Sequence, residues 1–316
     1  AAACAAAGAG FTFMRRRRLR GCAATRRAAA LPGAGGAIET FLLRGPVDAS
    51  KLAMKCAPLA NFFDLNCIAF FSSGVDAGLI ASVAGGALGL HGVCPVYIAE
   101  CHGVVGWDAA LGENVKLMGQ GSDAGLEGQG VVVVAFRGGG HEPSSSDEDA
   151  GIGRAPLPEG CALHMVVRAS GMPQVPPNGM IFGGLAKTCY KLQHSGDVVE
   201  VDQFSVSTPL AVMCSFTKDS GSDAVAAALG ALPPVATPPI AAGYFSCLTD
   251  TADAPNLGGT KVFGMLSEAA LGPPTGGGPI PCVPGVMEWT SILDPDPRPP
   301  LELHDTSASI MALYGK

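Results

Sequence analysis

The chain has 316 residues, 48% of them hydrophobic and 15% charged, enough apolar content for one large domain or two small ones. Seven arginines and no acidic residue precede Glu39, so the remainder sets 13 cationic against 27 anionic side chains, a formal charge of −14. An acidic body excludes a phosphate-neutralising nucleic-acid surface, and eleven cysteines with no C-x-x-C pair exclude a dense disulfide framework.

The chain opens on an arginine-rich segment, residues 1–50, with RRRRLR at 15–20 and no serine before Ser50. Such a segment is expected to be an organelle-targeting leader, for mitochondrion rather than plastid because three threonines are its only hydroxyls before Ser50. The alternative is a nuclear signal or a basic tail on a cytoplasmic protein, and Met14 is a candidate start residue. AIETFLLRGP then begins a first strand or helix. AGLIASVAGGALGL is apolar, but Gly85, Gly86, Gly89, Gly92 and Pro95 interrupt it, so no membrane span is expected. A helix over about 75–90 and a buried strand VCPVYIAE account for the same residues.

CHGVVGWD (101–108) is expected to be a bend at the end of that strand. ENVKLMG follows as a strand, and GVVVVAFRG as a central strand covered on both faces. GQGSDAGLEGQG (119–130) has no phosphate-loop pattern and suits a hairpin loop. The acidic, Gly/Ser-rich stretch 138–153 suits an exposed loop and a seam between two halves. Beyond it come strand CALHMVVRAS, a Pro-rich turn, and MIFGGLA. VVEVDQFSV and LAVMCSFTK alternate as a hairpin would, and SDAVAAALGAL suits a short helix capped by Ser222. AAGYFSCLTD and KVFGMLSEAALG are further strand segments, and SASIMALY is a terminal strand. The fold class expected is α/β (α+β), with mixed, largely antiparallel sheets and few flanking helices.

In order, CPVYIAECHGVVGWD, MIFGGLA with Gly183 and Gly184, GYFSCLTD with Cys247, KVFG, and SASIMALYG resemble segments of the FIST-domain family, including its F-box-containing eukaryotic members. The resemblance spans roughly residues 60–316 and implies a FIST N-like half over 51–153 and a FIST C-like half over 154–316. It also implies a ligand-binding, sensory or protein-recognition role. No arginine follows Cys247 as in the family, Glu268 lies two residues closer to Phe263-Gly264, and no F-box-like helical segment is recognised ahead of residue 51.

The residues that point to a site are Cys101, His102, Gly103 and Trp107, which put a thiol, an imidazole and an indole at a strand end where ligands of α/β sheets collect. Gly183 and Gly184 allow close backbone approach, and Cys247 ends a strand. His91, Cys94, Cys101 and His102 are metal-capable types, but their spacing is not that of structural zinc, so no metal and no cofactor are expected. No G-x-S-x-G elbow, Cys–His order or carboxylate pair marks a catalytic centre, so the expectation is a non-catalytic protein. Its partner would be an unknown small molecule, a protein in a larger complex, or both. The alternatives are an accessory structural subunit of a large organellar (respiratory or photosynthetic) complex, or an enzyme of unrecognised chemistry.

Overall fold

Val131 to Phe136 offer no polar face, and the protein buries all six residues completely. The computed structural model describes residues 37–118, 128–138, 141–145, 163–171, 180–208, 211–217, 239–249, 253–273, 275, 280–282, 302–304 and 307–313. Strands dominate these residues, in three mixed sheets with few helices, as the sequence leads one to expect.

The first third of the fold supplies β1 (Ala37–Arg44), β2 (Leu65–Ser73), β3 (Val96–Glu100), β4 (Gly103–Asp108), β5 (Glu113–Met118) and β6 (Gly130–Arg137). The second supplies β7 (Glu142–Ser145), β8 (Leu163–Arg168), β9 (Met180–Leu185), β10 (Thr188–Leu192), β11 (Val198–Val201) and β12 (Gln203–Thr208). The last supplies β13 (Ala211–Thr217), β14 (Ala241–Cys247), β15 (Val262–Ser267), β16 (Ala270–Gly272), β17 (Ile280–Cys282), β18 (Glu302–His304) and β19 (Ser307–Leu313).

Strand order is β1-β6-β2-β3-β10-β11 in the first sheet and β7-β12-β8-β9-β16-β18 in the second. In the third it is β17-β13-β19-β14-β15-β4-β5. One plan is used three times. In each sheet an early strand lies beside the last strand of its own third, followed by a parallel pair: β2 with β3, β8 with β9, β14 with β15. Next to each pair stands a strand from another third: β10 joins β3, β16 joins β9, and β4 joins β15. The exchange therefore closes into a cycle, and the halves 51–153 and 154–316 each hand strands to sheets built mainly by the other.

The inner faces of the sheets share one core. Phe71 meets Phe245 edge-on at 5.9 Å, Phe182 meets Phe245 at 5.0 Å, and Tyr97 stacks on Phe204 at 4.8 Å, so aromatic contacts tie all three thirds together. The outer face of the first sheet is covered by α1 (Ala49–Cys56) and α2 (Ala77–Ala81), the latter running on through a π-helical turn at Ser82–Ala87. Leu52, Cys56, Ile80 and Val83 pack there with Ile68, Phe70, Val96 and Val131. Both helices start on an aspartate that accepts a backbone N–H: Asp48 from Lys51 at 2.7 Å and Asp76 from Leu79 at 3.0 Å.

Several expectations change. Of CHGVVGWD, expected to be a bend, only Cys101–His102 turns the chain and residues 103–108 are strand: a Cβ on Gly103 would lie 2.5 Å from the Leu117 carbonyl oxygen, and one on Gly106 would lie 2.6 Å from Val132. These glycines admit close packing instead of turning the chain. Residues 37–44, expected to open the fold as a strand or helix, are the strand β1 and pair along their length with β6. Within the expected 138–153 loop, residues 142–145 are strand, and His141 and Ser145 are buried. The hairpin expected from VVEVDQFSV and LAVMCSFTK does not form, because β12 and β13 belong to different sheets. The SDAVAAALGAL helix, residues 119–127 and the 146–162 part of the seam lie outside the described residues. Among the described residues no helix is long and apolar enough to cross a membrane.

Candidate functional site

The carboxyl ends of the three parallel pairs are joined to neighbouring sheets by three short crossings. Cys101–His102 leads from the first sheet to the third, Ala186–Lys187 from the second to the first, and Glu268–Ala269 from the third to the second. Strand register makes these positions equivalent. Ile98, Gly183 and Gly264 each face the parallel neighbour at Phe70, Val166 and Tyr244, and four residues later come His102, Lys187 and Glu268. Backbone hydrogen bonds repeat as well: Cys101 N–H donates to Ser72 O and Ala186 N–H to Arg168 O, at 2.7 and 2.8 Å. His102 N–H donates to Leu266 O and Lys187 N–H to Glu100 O, at 3.2 and 2.8 Å, while Leu185 N–H reaches Ala269 O at 3.0 Å. Each crossing is thus pinned to the next third of the fold.

Three ionisable side chains mark this rim. His102 Nε2 is 3.7 Å from Glu268 Oε1, an ion pair when the ring is protonated and longer than a hydrogen bond. Partial burial, aided by the Lys187 charge, holds the His102 imidazole below its usual range against the pull of Glu268. At neutral pH the His102 ring on this rim is therefore neutral.

A layer of hydroxyl and thiol groups lies at the same crossings. Ser73 Oγ donates to His102 O at 3.4 Å, Ser267 Oγ to Ala269 O at 2.8 Å, and the Cys247 thiol to Glu268 O at 3.4 Å. Thr249 Oγ1 lies 3.5 Å from Cys247 Sγ, and Cys101 Sγ is 3.2 Å from Met265 Sδ. Burial pushes the Cys101 thiol well above its usual range, the reverse of what an activated nucleophile needs.

The residues singled out from sequence divide between this region and elsewhere. Cys101, His102 and Cys247 meet at the crossings through β15 and Glu268. Gly184 joins them, since a Cβ there would lie 2.9 Å from Met265 Cε and from Ser267 Oγ. Gly103 is spent on the contact with β5, and Gly183 on the close approach to Val166, so both serve strand packing. Trp107 pairs with Asn114 toward the far end of β4, five residues or roughly 16 Å from His102, and does not belong to the rim.

Sequence reasoning passed over Lys187 and Ser267 and set Glu268 aside. One signal could have found them. IAECHGVV, GGLAKTCY and GMLSEAAL align without gaps when 98, 183 and 264 are superimposed, although hardly any letters are shared. Among the described residues no group of three or more His, Cys, Asp or Glu side chains is placed to hold a metal ion. No protein-family model matches the chain, and no curated protein matches it.

Proposed function

We propose that the chain is a FIST-like ligand-binding or sensory domain, imported into an organelle, that takes a small polar molecule at the rim formed by His102, Lys187 and Glu268. The observation that carries this reading is the convergence of three strand crossings, at the carboxyl ends of three parallel pairs, on three different ionisable side chains. Loops outside the carboxyl ends of parallel strands are where α/β sheets collect ligands, because backbone and side-chain polar groups are released there from sheet pairing. The thiols and hydroxyls below the rim add short-range donors and acceptors.

A thermal-shift screen of the full-length protein against polar metabolites tests it. A ligand present at a hundred times its Kd stabilises by about 2.7 kcal/mol, a readily measured rise in Tm. A stabiliser whose effect disappears in His102→Ala supports the reading. Finding no stabiliser, or only ones indifferent to that substitution, removes it.

A second reading is an accessory subunit of a larger organellar assembly. It is favoured by Phe63, 94% exposed, and Met54, 68% exposed, on the helix-bearing side of the first sheet. Migration of the endogenous protein on a native gel as a free monomer would sink this alternative.

A further inference from the structure

The three rim positions are equivalent by strand register, yet their charges are committed differently. Glu268 faces the His102 ring. Glu100, at the end of β3, accepts the Thr188 hydroxyl at 3.3 Å. Arg168, at the end of β8, is held by Ser170 O and, at 3.2 Å, by Gln203 Oε1. Lys187 differs from these: among the described residues its ammonium makes no hydrogen bond and no ion pair. It stands close enough to His102 and Cys101 for its charge to act on both, and its backbone is anchored to Glu100 O. It is therefore an exposed cation at the crossings, without a hydrogen-bond or ion-pair partner among the described residues and with its main chain fixed.

We propose that Lys187 is the anion anchor of the rim, so that the molecule bound there presents a carboxylate or a phosphate to it. The inference rests on the reading of the rim as a ligand site. An ammonium on a pinned strand end is a point charge that accepts either anion with little geometric demand. His102, neutral and with a buried Nε2 that has no hydrogen-bond partner among the described residues, lies beside it and senses a bound anion through its charge. A bound anion would favour the imidazolium, so binding and protonation of His102 reinforce one another. Glu268 repels an anion from its own corner and confines it to the Lys187 side, which makes a rim of threefold plan directional.

The experiment follows the His102 ring resonance of the full-length protein by NMR, assigned with His102→Gln. Sodium acetate, inorganic phosphate and neutral acetamide are titrated at constant ionic strength. Acetate or phosphate is expected to shift the signal saturably and to raise the His102 pKa, with acetamide inert. Tighter binding of phosphate assigns a phosphate-bearing ligand, and tighter binding of acetate a carboxylate. Lys187→Met is expected to weaken binding at least tenfold, and Lys187→Arg to restore most of it. Equal responses to acetate and acetamide, or unchanged anion binding in Lys187→Met, overturn the anchor. A library stabiliser that moves the His102 signal equally in wild type and Lys187→Met refutes the anchor while leaving the rim as a site. If no probe and no stabiliser moves the signal, the rim reading fails and the anchor with it.

Discussion

Two imidazoles lie inside the fold at the second sheet. His141 packs against Phe136 with ring centroids 5.4 Å apart and planes tilted by 57°, 4% of its surface exposed, and His164 is 3% exposed, with Nδ1 at 2.9 Å from Ser207 Oγ. Burial lowers the pKa of each from 6.5 to about 4, because the charged ring loses its hydration. The unfolded chain therefore binds protons between pH 6.5 and about 4 that the native chain refuses, so stability is complete above the unfolded value and falls as the pH drops. At pH 5 the loss is about 2 kcal/mol for each ring, about 4 kcal/mol together. That is a large part of the 5–15 kcal/mol that holds a typical domain. With a urea m-value of about 3 kcal/mol/M, the midpoint should drop by roughly 1.3 M between pH 7.5 and pH 5.0. Asp108, held below its usual range by backbone N–H groups and Arg44, adds its own loss only at lower pH, so the window isolates the histidines. His102 contributes in the same direction but is more exposed. The variant His141→Gln/His164→Asn should keep nearly the same midpoint at both pH values, whatever its stability at neutral pH. A wild-type midpoint that stays constant, or a double variant that falls as steeply, would refute the account.

Alanine at Gly183 or Gly264 should destabilise by more than about 4 kcal/mol or abolish soluble expression, because its Cβ would overlap the carbonyl oxygen of Val166 or Tyr244. A thermal melt within a few degrees of wild type would show that the parallel pairs are spaced differently. The rim geometry predicts opposite shifts of the His102 pKa by NMR, upward in Lys187→Met and downward in Glu268→Gln; shifts of the same sign would exclude it. If a leader is removed, mass spectrometry of the endogenous protein should place the mature N-terminus before Ala37, because β1 pairs with β6 from that residue on. A mature chain starting beyond Arg44 would contradict that pairing.

Much of the secondary structure can be read locally. The apolar runs of β2, β6, β14 and β19 are dense enough that burial on both faces follows from composition. Glycine misled where it served packing: Gly103 and Gly106 look like turn residues until Leu117 and Val132 are seen to occupy the space a Cβ would need. Lys187 offered no signal of its own, since a single lysine after an apolar strand is an ordinary solvent-facing residue.

By itself the sequence determined a strand-rich α/β protein with few helices, an acidic body behind an arginine-rich first segment, and a polar segment at 101–102, because these follow from composition and short-range periodicity. Only the tertiary structure decided the threefold plan, the cyclic exchange of strands and the meeting of His102, Lys187 and Glu268. Ladder hydrogen bonds are the same whichever side chains the strands carry, and register needs only an apolar pattern along the strands, not particular residues at their ends. Residues 166 positions apart can therefore occupy equivalent corners with no shared letter to announce it.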